Sequence, residues 1–181
     1  MTIIQQLFEF IIHRREVKDI DYSQNAAIGT IILDAVPIIL ATYFINQTAL
    51  ESGGIIIEDI TINHIPMGLV SLYSITFTAL FFCLFAAQQR QTRFMQAATA
   101  FFGTSILLTL AHTLLTSLPG AGIFGLVIFG LKVSCSVRVL VEALDYSLPR
   151  AVFSLIGIAM MSMLMATLIF PPDITRSLLA Q

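Results

Sequence analysis

Long apolar runs separated by short polar segments dominate the pattern of this chain. A helix that crosses a membrane needs about 20 largely apolar residues. Runs of about that length occur near 26–45, 67–87, 97–115 and 151–170. The last run stops at two consecutive prolines, which cannot continue a helix. We predict that all four runs are membrane-spanning helices.

A fifth run, near 121–140, begins apolar and then carries Lys132 and Arg138. Short cytoplasmic loops collect Lys and Arg. With five spans and the N-terminus inside, every Lys and Arg except Arg176 flanks a cytoplasmic end or lies in the cytoplasmic half of a span. With four spans, Lys132, Arg138 and Arg150 would lie outside. The charge pattern therefore predicts five spans, a cytoplasmic N-terminus and a periplasmic C-terminus.

Residues 1–22 are predicted to form a short helix in the cytoplasmic interface and a solvated link to the first span. Apolar residues recur there at helical spacing, with polar residues opposite: Ile3, Ile4, Leu7, Phe8 and Ile11 against Gln5, Gln6 and Glu9. The alternative is a cytosolic arm that packs on the bundle. Because the basic residues follow the apolar stretch, a cleavable signal is not expected.

The predicted fold is therefore an all-α, polytopic transmembrane helical bundle. Residues 23–172 form its five-span membrane domain, and 173–181 a short exterior tail. The exterior loop over 46–66 contains Glu51, Glu58 and Asp59 but no Lys or Arg. It is apolar enough that we expect it to lie along the outer surface or cap the bundle, as a strand-like or helical piece.

Composition supports a membrane protein. The chain has 181 residues, 57% apolar and 11% charged, with a mean hydropathy of +0.90. In an average protein roughly 45–50% of the residues are apolar and about 25% are charged. So few charged residues cannot cover the surface of a soluble domain of this size. A basic nucleic-acid binder, a disordered chain and most soluble enzymes are excluded.

Asp34 and Lys132 are the candidate site residues, since a charge inside a span is costly and usually faces the bundle interior or a partner. Both lie at similar depth from the cytoplasmic side, so an ion pair between spans one and four is one hypothesis. The alternative is that Lys132 extends to the interface while Asp34 is protonated or bonds a hydroxyl. Pro37 is a candidate kink in span one.

The remaining chemistry-bearing residues are interpreted as structural. Cys83 and Cys135 are expected to be isolated packing residues, and His112 a hydrogen-bonded interface residue. Arg138 and Glu142, four apart, predict a local salt bridge. The methionines of the last span are interpreted as packing residues rather than copper ligands. We predict no catalytic residue, no cofactor and no metal.

Three segments resemble a known family. They are Arg14-Arg15 with Asp19-Ile20-Asp21-Tyr22-Ser23, the stretch from Arg93 to Thr104, and Lys132 to Arg150. With the five-span layout, they resemble the bacterial branch of the Yip (Ypt/Rab-interacting protein) membrane family, small inner-membrane proteins. The resemblance implies a fold and a bacterial inner-membrane location but no catalytic residue. The long polar N-terminal region of eukaryotic relatives is missing, so their small-GTPase binding is not expected.

Two functions are expected from the sequence. The first is a non-enzymatic protein that scaffolds or helps assemble other membrane components through lateral helix contacts. Its partners would be the lipid bilayer and either another membrane protein or further copies of itself. The second is a small transporter or channel subunit that uses Asp34 and Lys132 in a polar intramembrane path.

Overall fold

Helices dominate the computed structural model of the chain. It describes residues 2–20, 23–53, 55–57, 60–115 and 121–176. The helices are α1 (Ile3–Ile11), α2 (Gln24–Ser52), α3 (Met67–Ala87), α4 (Gln91–Leu115), α5 (Ala121–Leu144) and α6 (Leu148–Ile169), with a 3-10 turn at Val17–Asp19. Three short strands, β1 (Ile55–Ile57), β2 (Ile60–His64) and β3 (Asp173–Arg176), complete the fold.

Four helices of the described residues are long and apolar enough to cross a membrane. They cover Gln24–Glu51, Met67–Ala87, Gln91–His112 and Leu148–Ile169. The prediction of a helical membrane protein is confirmed at this level. The fifth predicted span lies in α5, which carries three charged residues over its described side chains and is not among the four. A helix covers Ile3–Ile11, and its position in the membrane interface stays a prediction.

The contacts divide the chain into two compact units, described separately below. The first unit comprises Met1–Asp34 and Phe81–Gly157. The second comprises Ala35–Leu80 and Ile158–Gln181.

A cluster of phenylalanines forms the core where α3 and α4 meet in the first unit. The Phe81 ring is fully buried and lies 5.0–6.2 Å, centroid to centroid, from four others: Phe85, Phe94, Phe101 and Phe102. Aromatic pairs at these separations favour tilted or edge-to-face geometry, as seen here. Between the helices the chain turns at Gln89 (φ 57°). The Gln89 and Arg90 amides bond back into α3, a Schellman motif that caps its last carbonyls.

The N-terminal segment, residues 2–20, packs on α4 and α5 in the same unit. Thr2 and Gln5 form a capping box at the start of α1. Leu7 and Phe10 are buried, and Leu7 lies so close to Gly103 that a Cβ there would be 2.6 Å from Leu7 Cδ1. A larger residue at position 103 would therefore displace the Leu7 side chain.

The link after α1 is less solvated than predicted. Val17 is 3% exposed, so the interpretation of the link as solvated is wrong at this position, and Ile20, just after the link, is 1% exposed. The physical reason is that both are large apolar side chains, and the 3-10 turn turns them inward. Asp21 and Tyr22, part of the segment carrying the family resemblance, lie outside the described residues.

The second unit contains the predicted exterior loop. The first residues of this loop continue α2 as far as Ser52, which agrees with the helical alternative expected for it. The added turns contain Gln, Ala, Leu and Glu, all good helix formers. A buried amide, Asn46, holds this end in place: its Nδ2 donates to the Ile65 carbonyl at 2.7 Å, and its Oδ1 accepts from the Ile65 amide at 2.8 Å.

An antiparallel sheet of order β1-β2-β3 follows α2. Thr61 pairs with Thr175, so β3 joins the first residues of the predicted tail to the loop. Residues 58–59 of the loop and 177–181 of the tail lie outside the described residues. In the same unit Leu69, Val70 and Ala166 form a small buried core between α3 and α6. A Cβ at Gly68 would be 2.8 Å from the Phe170 ring, which shows how closely these segments pack.

Candidate functional site

Four polar side chains from three helices meet in the first unit. We call Asp34 of α2, Ser105 and Thr109 of α4, and Lys132 of α5 the polar cluster. Lys132 Nζ donates to Thr109 Oγ1 at 2.8 Å. Thr109 Oγ1 in turn donates to the Ser105 carbonyl at 2.8 Å. The Ser105 side chain is close enough to the Asp34 carboxyl to interact with it. These contacts bring α2, α4 and α5 together at one strip of α4.

The spacing on α4 explains this arrangement. Ser105 and Thr109 are four residues apart, so their side chains stack on the same face of the helix. A hydroxyl accepts one hydrogen bond while donating another. Thr109 can therefore receive the Lys132 ammonium while its own proton goes to the backbone.

Asp34 and Lys132 are close enough for their opposite charges to interact. They do not form a direct ion pair. The direct ion pairs among the described residues are Arg15–Glu9, Lys18–Glu16, Arg90–Asp145 and Arg138–Glu142. The polar cluster thus brings the two predicted site residues to the same strip of α4, with Lys132 bonded to Thr109 and Asp34 beside Ser105.

Pro37, the candidate kink, lies within the continuous helix α2, three residues after Asp34. Its side chain is outside the described part of the structure. Proline is tolerated in membrane helices because neighbouring groups satisfy the freed carbonyl. The kink stays a prediction.

A second group of interacting residues was not predicted from the sequence. Arg138 and Glu142 of α5 form the predicted ion pair, but they also bind the N-terminal segment; we call them the N-terminal clamp. Arg138 donates to the carbonyls of Phe10 at 2.8 Å and Arg15 at 2.6 Å. Its guanidinium carbon lies 4.5 Å above the Phe10 ring centre, and Nη1 is 3.1 Å from His13 Nδ1. The planar fork of arginine is suited to several acceptors at once.

The carboxylate of the clamp has its own partner. Glu142 Oε2 accepts the Val17 amide at 2.6 Å, beside its ion pair with Arg138. Gln96 of α4 adds bonds from Nε2 to the carbonyls of Lys18 at 2.7 Å and Ile20 at 3.0 Å. The only signal in the sequence was an i,i+4 charged pair at the end of an apolar run.

Exposed charges surround the clamp. Lys18 Nζ lies 2.7 Å from Glu16 Oε2. The hydrogen bond from the Lys18 ammonium lowers the pKa of the Glu16 carboxyl, and Glu16 raises the pKa of Lys18 in return. Both side chains are well exposed, so this pair contributes little to stability.

The other residues singled out in the sequence lie apart from the polar cluster's hydrogen bonds. His112 is exposed, and a Cβ at Gly125 would be 3.1 Å from its Nε2. Cys83 is exposed, Cys135 is buried, and both are free thiols. The four methionines of α6, Met160, Met161, Met163 and Met165, are all exposed. Within the described ranges, no three His, Cys, Asp or Glu side chains are grouped to hold a metal ion.

Comparison with protein-family models, with curated proteins and with solved structures found no match to the chain.

Proposed function

We propose that this chain is a non-enzymatic integral membrane protein that scaffolds or helps assemble other membrane components through lateral helix contacts. The observation that carries the proposal is how little of two helices is buried within the chain. Within the most apolar stretch of each helix, 7% of the residues of α2 and 17% of those of α6 are buried, compared with 56% of those of α4. Helices with so little internal packing have most of their surface available for other helices or lipid.

The exposed surface of α6 suits variable partners. Among its residues in the second unit, Ile158, Ser162 and Ala166 are buried at a spacing of four, and the four methionines face outward. Methionine is flexible and polarizable, and it fills irregular gaps against different partners. Because lipid tails are as apolar as leucine, such contacts depend on close packing rather than on a hydrophobic driving force.

The proposed topology has five spans and a cytoplasmic N-terminus in a bacterial inner membrane, with Yip-like proteins as the proposed family. Contacts of α5 along α4 support the fifth span. Arg93 Nη1 donates to the Ala143 carbonyl at 3.4 Å, and His112 Nε2 lies 3.1 Å from where a Cβ at Gly125 would be. Arg93 and His112 are separated by roughly 28 Å of helix at 1.5 Å per residue. A helix that stays beside α4 over this length crosses the membrane with it.

The test is site-specific photo-crosslinking followed by affinity purification in mild detergent. A photoreactive residue replaces Met163 on α6, and the control carries it at Phe129 on α5, which is similarly exposed (65% against 46%). We expect a stoichiometric adduct with another membrane protein from position 163 and a weaker one from 129. Two results together would overturn the scaffold proposal. The chain would purify alone or as a homo-oligomer, and its melting temperature would depend on an added ion.

The polar cluster favours a second candidate function, a transporter or channel subunit. Its polar groups join α2, α4 and α5, and polar groups from several spans are what an intramembrane path requires. In proteoliposomes, Asp34→Asn should abolish ion or proton flux under this hypothesis and leave crosslinking at position 163 intact. Thr109→Val is the matched variant for Asp34→Asn, because it removes the hydroxyl that accepts a hydrogen bond from Lys132 but leaves the charges of Asp34 and Lys132 in place. Unchanged flux in Asp34→Asn would exclude the path.

A further inference from the structure

A groove runs between α1, α4 and α5 in the first unit, with a volume of about 910 Å³. Its walls are Ile4, Gln5, Phe8, Glu9, Ile11 and Ile12 of the N-terminal segment, Leu107, Leu108 and Ala111 of α4, and Ile128 and Leu131 of α5. We call it the α1 groove. Its volume lies within the range of roughly 300–1,000 Å³ typical of small-ligand sites.

The two polar residues in the wall are already engaged. Gln5 Oε1 accepts the Thr2 amide at 3.0 Å as part of the capping box. The Glu9 carboxylate accepts Arg15 Nε at 3.0 Å, which balances its charge. An occupant therefore meets an apolar wall, and it needs no polar group inside the groove.

The groove is open toward the outer face of α1. Ile4 and Phe8 are 60% and 59% exposed although they line it. Its α4 wall belongs to a helix apolar enough to span the membrane. A concave apolar surface with such exposed walls is accessible to lipid chains in a protein of this kind.

Arg14 lies two residues after Ile12, the last groove residue of the N-terminal segment. Glu9 lines the wall, and its carbonyl accepts the Arg14 amide at 2.8 Å, so the backbone of Arg14 is hydrogen-bonded to a residue of the groove wall. Arg14 is exposed, and within the described residues its side chain forms no ion pair or hydrogen bond. Glu9 and Glu16, the nearest acidic residues in sequence, are paired with Arg15 and Lys18.

We propose that the α1 groove holds an acyl chain of an anionic phospholipid whose headgroup phosphate binds Arg14. An acyl chain gains little by moving from the bilayer into an apolar groove, because both surroundings are hydrocarbon. Selection must therefore come from the headgroup. A basic side chain near the membrane surface favours an anionic lipid about fivefold.

The experiment uses the absence of tryptophan from the chain. Phe8→Trp places one fluorophore in the groove, and Ile4→Trp is a second reporter there. Phe129→Trp is the control, an exposed aromatic position on α5 outside the groove. Each full-length variant is reconstituted in mixed vesicles in which either phosphatidylglycerol or phosphatidylcholine carries brominated acyl chains, which quench tryptophan.

We expect brominated phosphatidylglycerol to compete about fivefold better for the quenching site at Phe8→Trp and Ile4→Trp, and to show no such preference at Phe129→Trp. Adding Arg14→Gln to either groove reporter should remove the preference. Adding Lys18→Gln, which neutralises a nearby cation that is already paired, should retain it.

Three results would overturn the proposal. One is equal quenching by both lipids at the groove reporters. Another is a preference that survives Arg14→Gln or is lost equally in Lys18→Gln, which would assign it to general surface charge. The third is a groove tryptophan that neither lipid quenches, which would show that a protein segment fills the α1 groove.

Discussion

Replacing Arg138 with Met should release the N-terminal segment from the bundle. The side chain of Arg138 is 17% exposed, and that of its ion-pair partner Glu142 is 20% exposed. The substitution removes the bonds to the Phe10 and Arg15 carbonyls and leaves the Glu142 carboxylate without its cation. Met retains most of the apolar length, so the lost energy is chiefly polar.

The magnitude follows from the burial of the pair. Removing one partner of a buried ion pair costs about 3–5 kcal/mol, because the remaining charge is left uncompensated. Since both side chains of the N-terminal clamp keep about a fifth of their surface in contact with solvent, we take the lower end, about 3 kcal/mol. Each 1.4 kcal/mol is a factor of ten, so the opening equilibrium of the segment should increase on the order of a hundredfold.

Hydrogen–deuterium exchange of the protein in lipid nanodiscs measures this equilibrium directly. Amides of residues 3–20 should lose about two orders of magnitude of protection in Arg138→Met, while α6 keeps its protection. Arg138→Met with Glu142→Gln should recover part of the loss, since the uncompensated charge is gone. Arg150→Met is the control, because Arg150 also stacks on an aromatic ring, at 4.1 Å, but that ring is Tyr146 and not a residue of the N-terminal segment. Equal exchange in Arg138→Met and wild type would refute the reasoning, as would an equal effect of Arg150→Met.

Three further substitutions test other contacts. Gly103→Val should destabilise α1 by about 1–3 kcal/mol, since its Cβ would be 2.6 Å from Leu7, and exchange at residues 3–11 reports it. Asn46→Leu leaves the Ile65 peptide unpaired and should cost about 2 kcal/mol, read as a lower melting temperature in detergent. Gln89→Gly removes the strain of a non-glycine residue at φ 57°. It should add about 1 kcal/mol and raise the melting temperature about 2–4 °C; a decrease would contradict the assigned turn.

The helices followed from the sequence where apolar runs were uninterrupted. The predicted span at 67–87 coincides with α3, because no charge or proline divides that run. The predicted span at 97–115 begins six residues late, since Gln91, Thr92, Arg93 and Gln96 interrupt the apolar pattern in the first turns of α4. Such residues extend a helix readily without belonging to the apolar run.

Contacts between distant segments did not follow from the sequence. Arg138 binds the carbonyl of Phe10, which is 128 residues away, and β2 pairs with β3 across more than a hundred residues. Hydrophobic periodicity assigns a residue to an element and a face. It carries no information about which remote backbone group will accept a bond. For the same reason the sequence identified Asp34 and Lys132, with a hydroxyl as an alternative partner of Asp34, but did not show which hydroxyls lie beside each of them.

The two cations of α5 differ in a way that separates structural from functional roles. Arg138 is fully engaged by a carboxylate, two carbonyls and an aromatic ring, so its removal must disturb the fold. Within the described residues, Lys132 makes one hydrogen bond, to Thr109, although an ammonium has three donors. Lys132 is half-buried and interacts with the opposite charge of Asp34, so an apolar replacement loses a single hydrogen bond among the described residues but leaves Asp34 without this cation. Hence a Lys132→Met protein that is as stable as wild type but loses flux or assembly would assign Lys132 to function, and one that unfolds would assign it to structure.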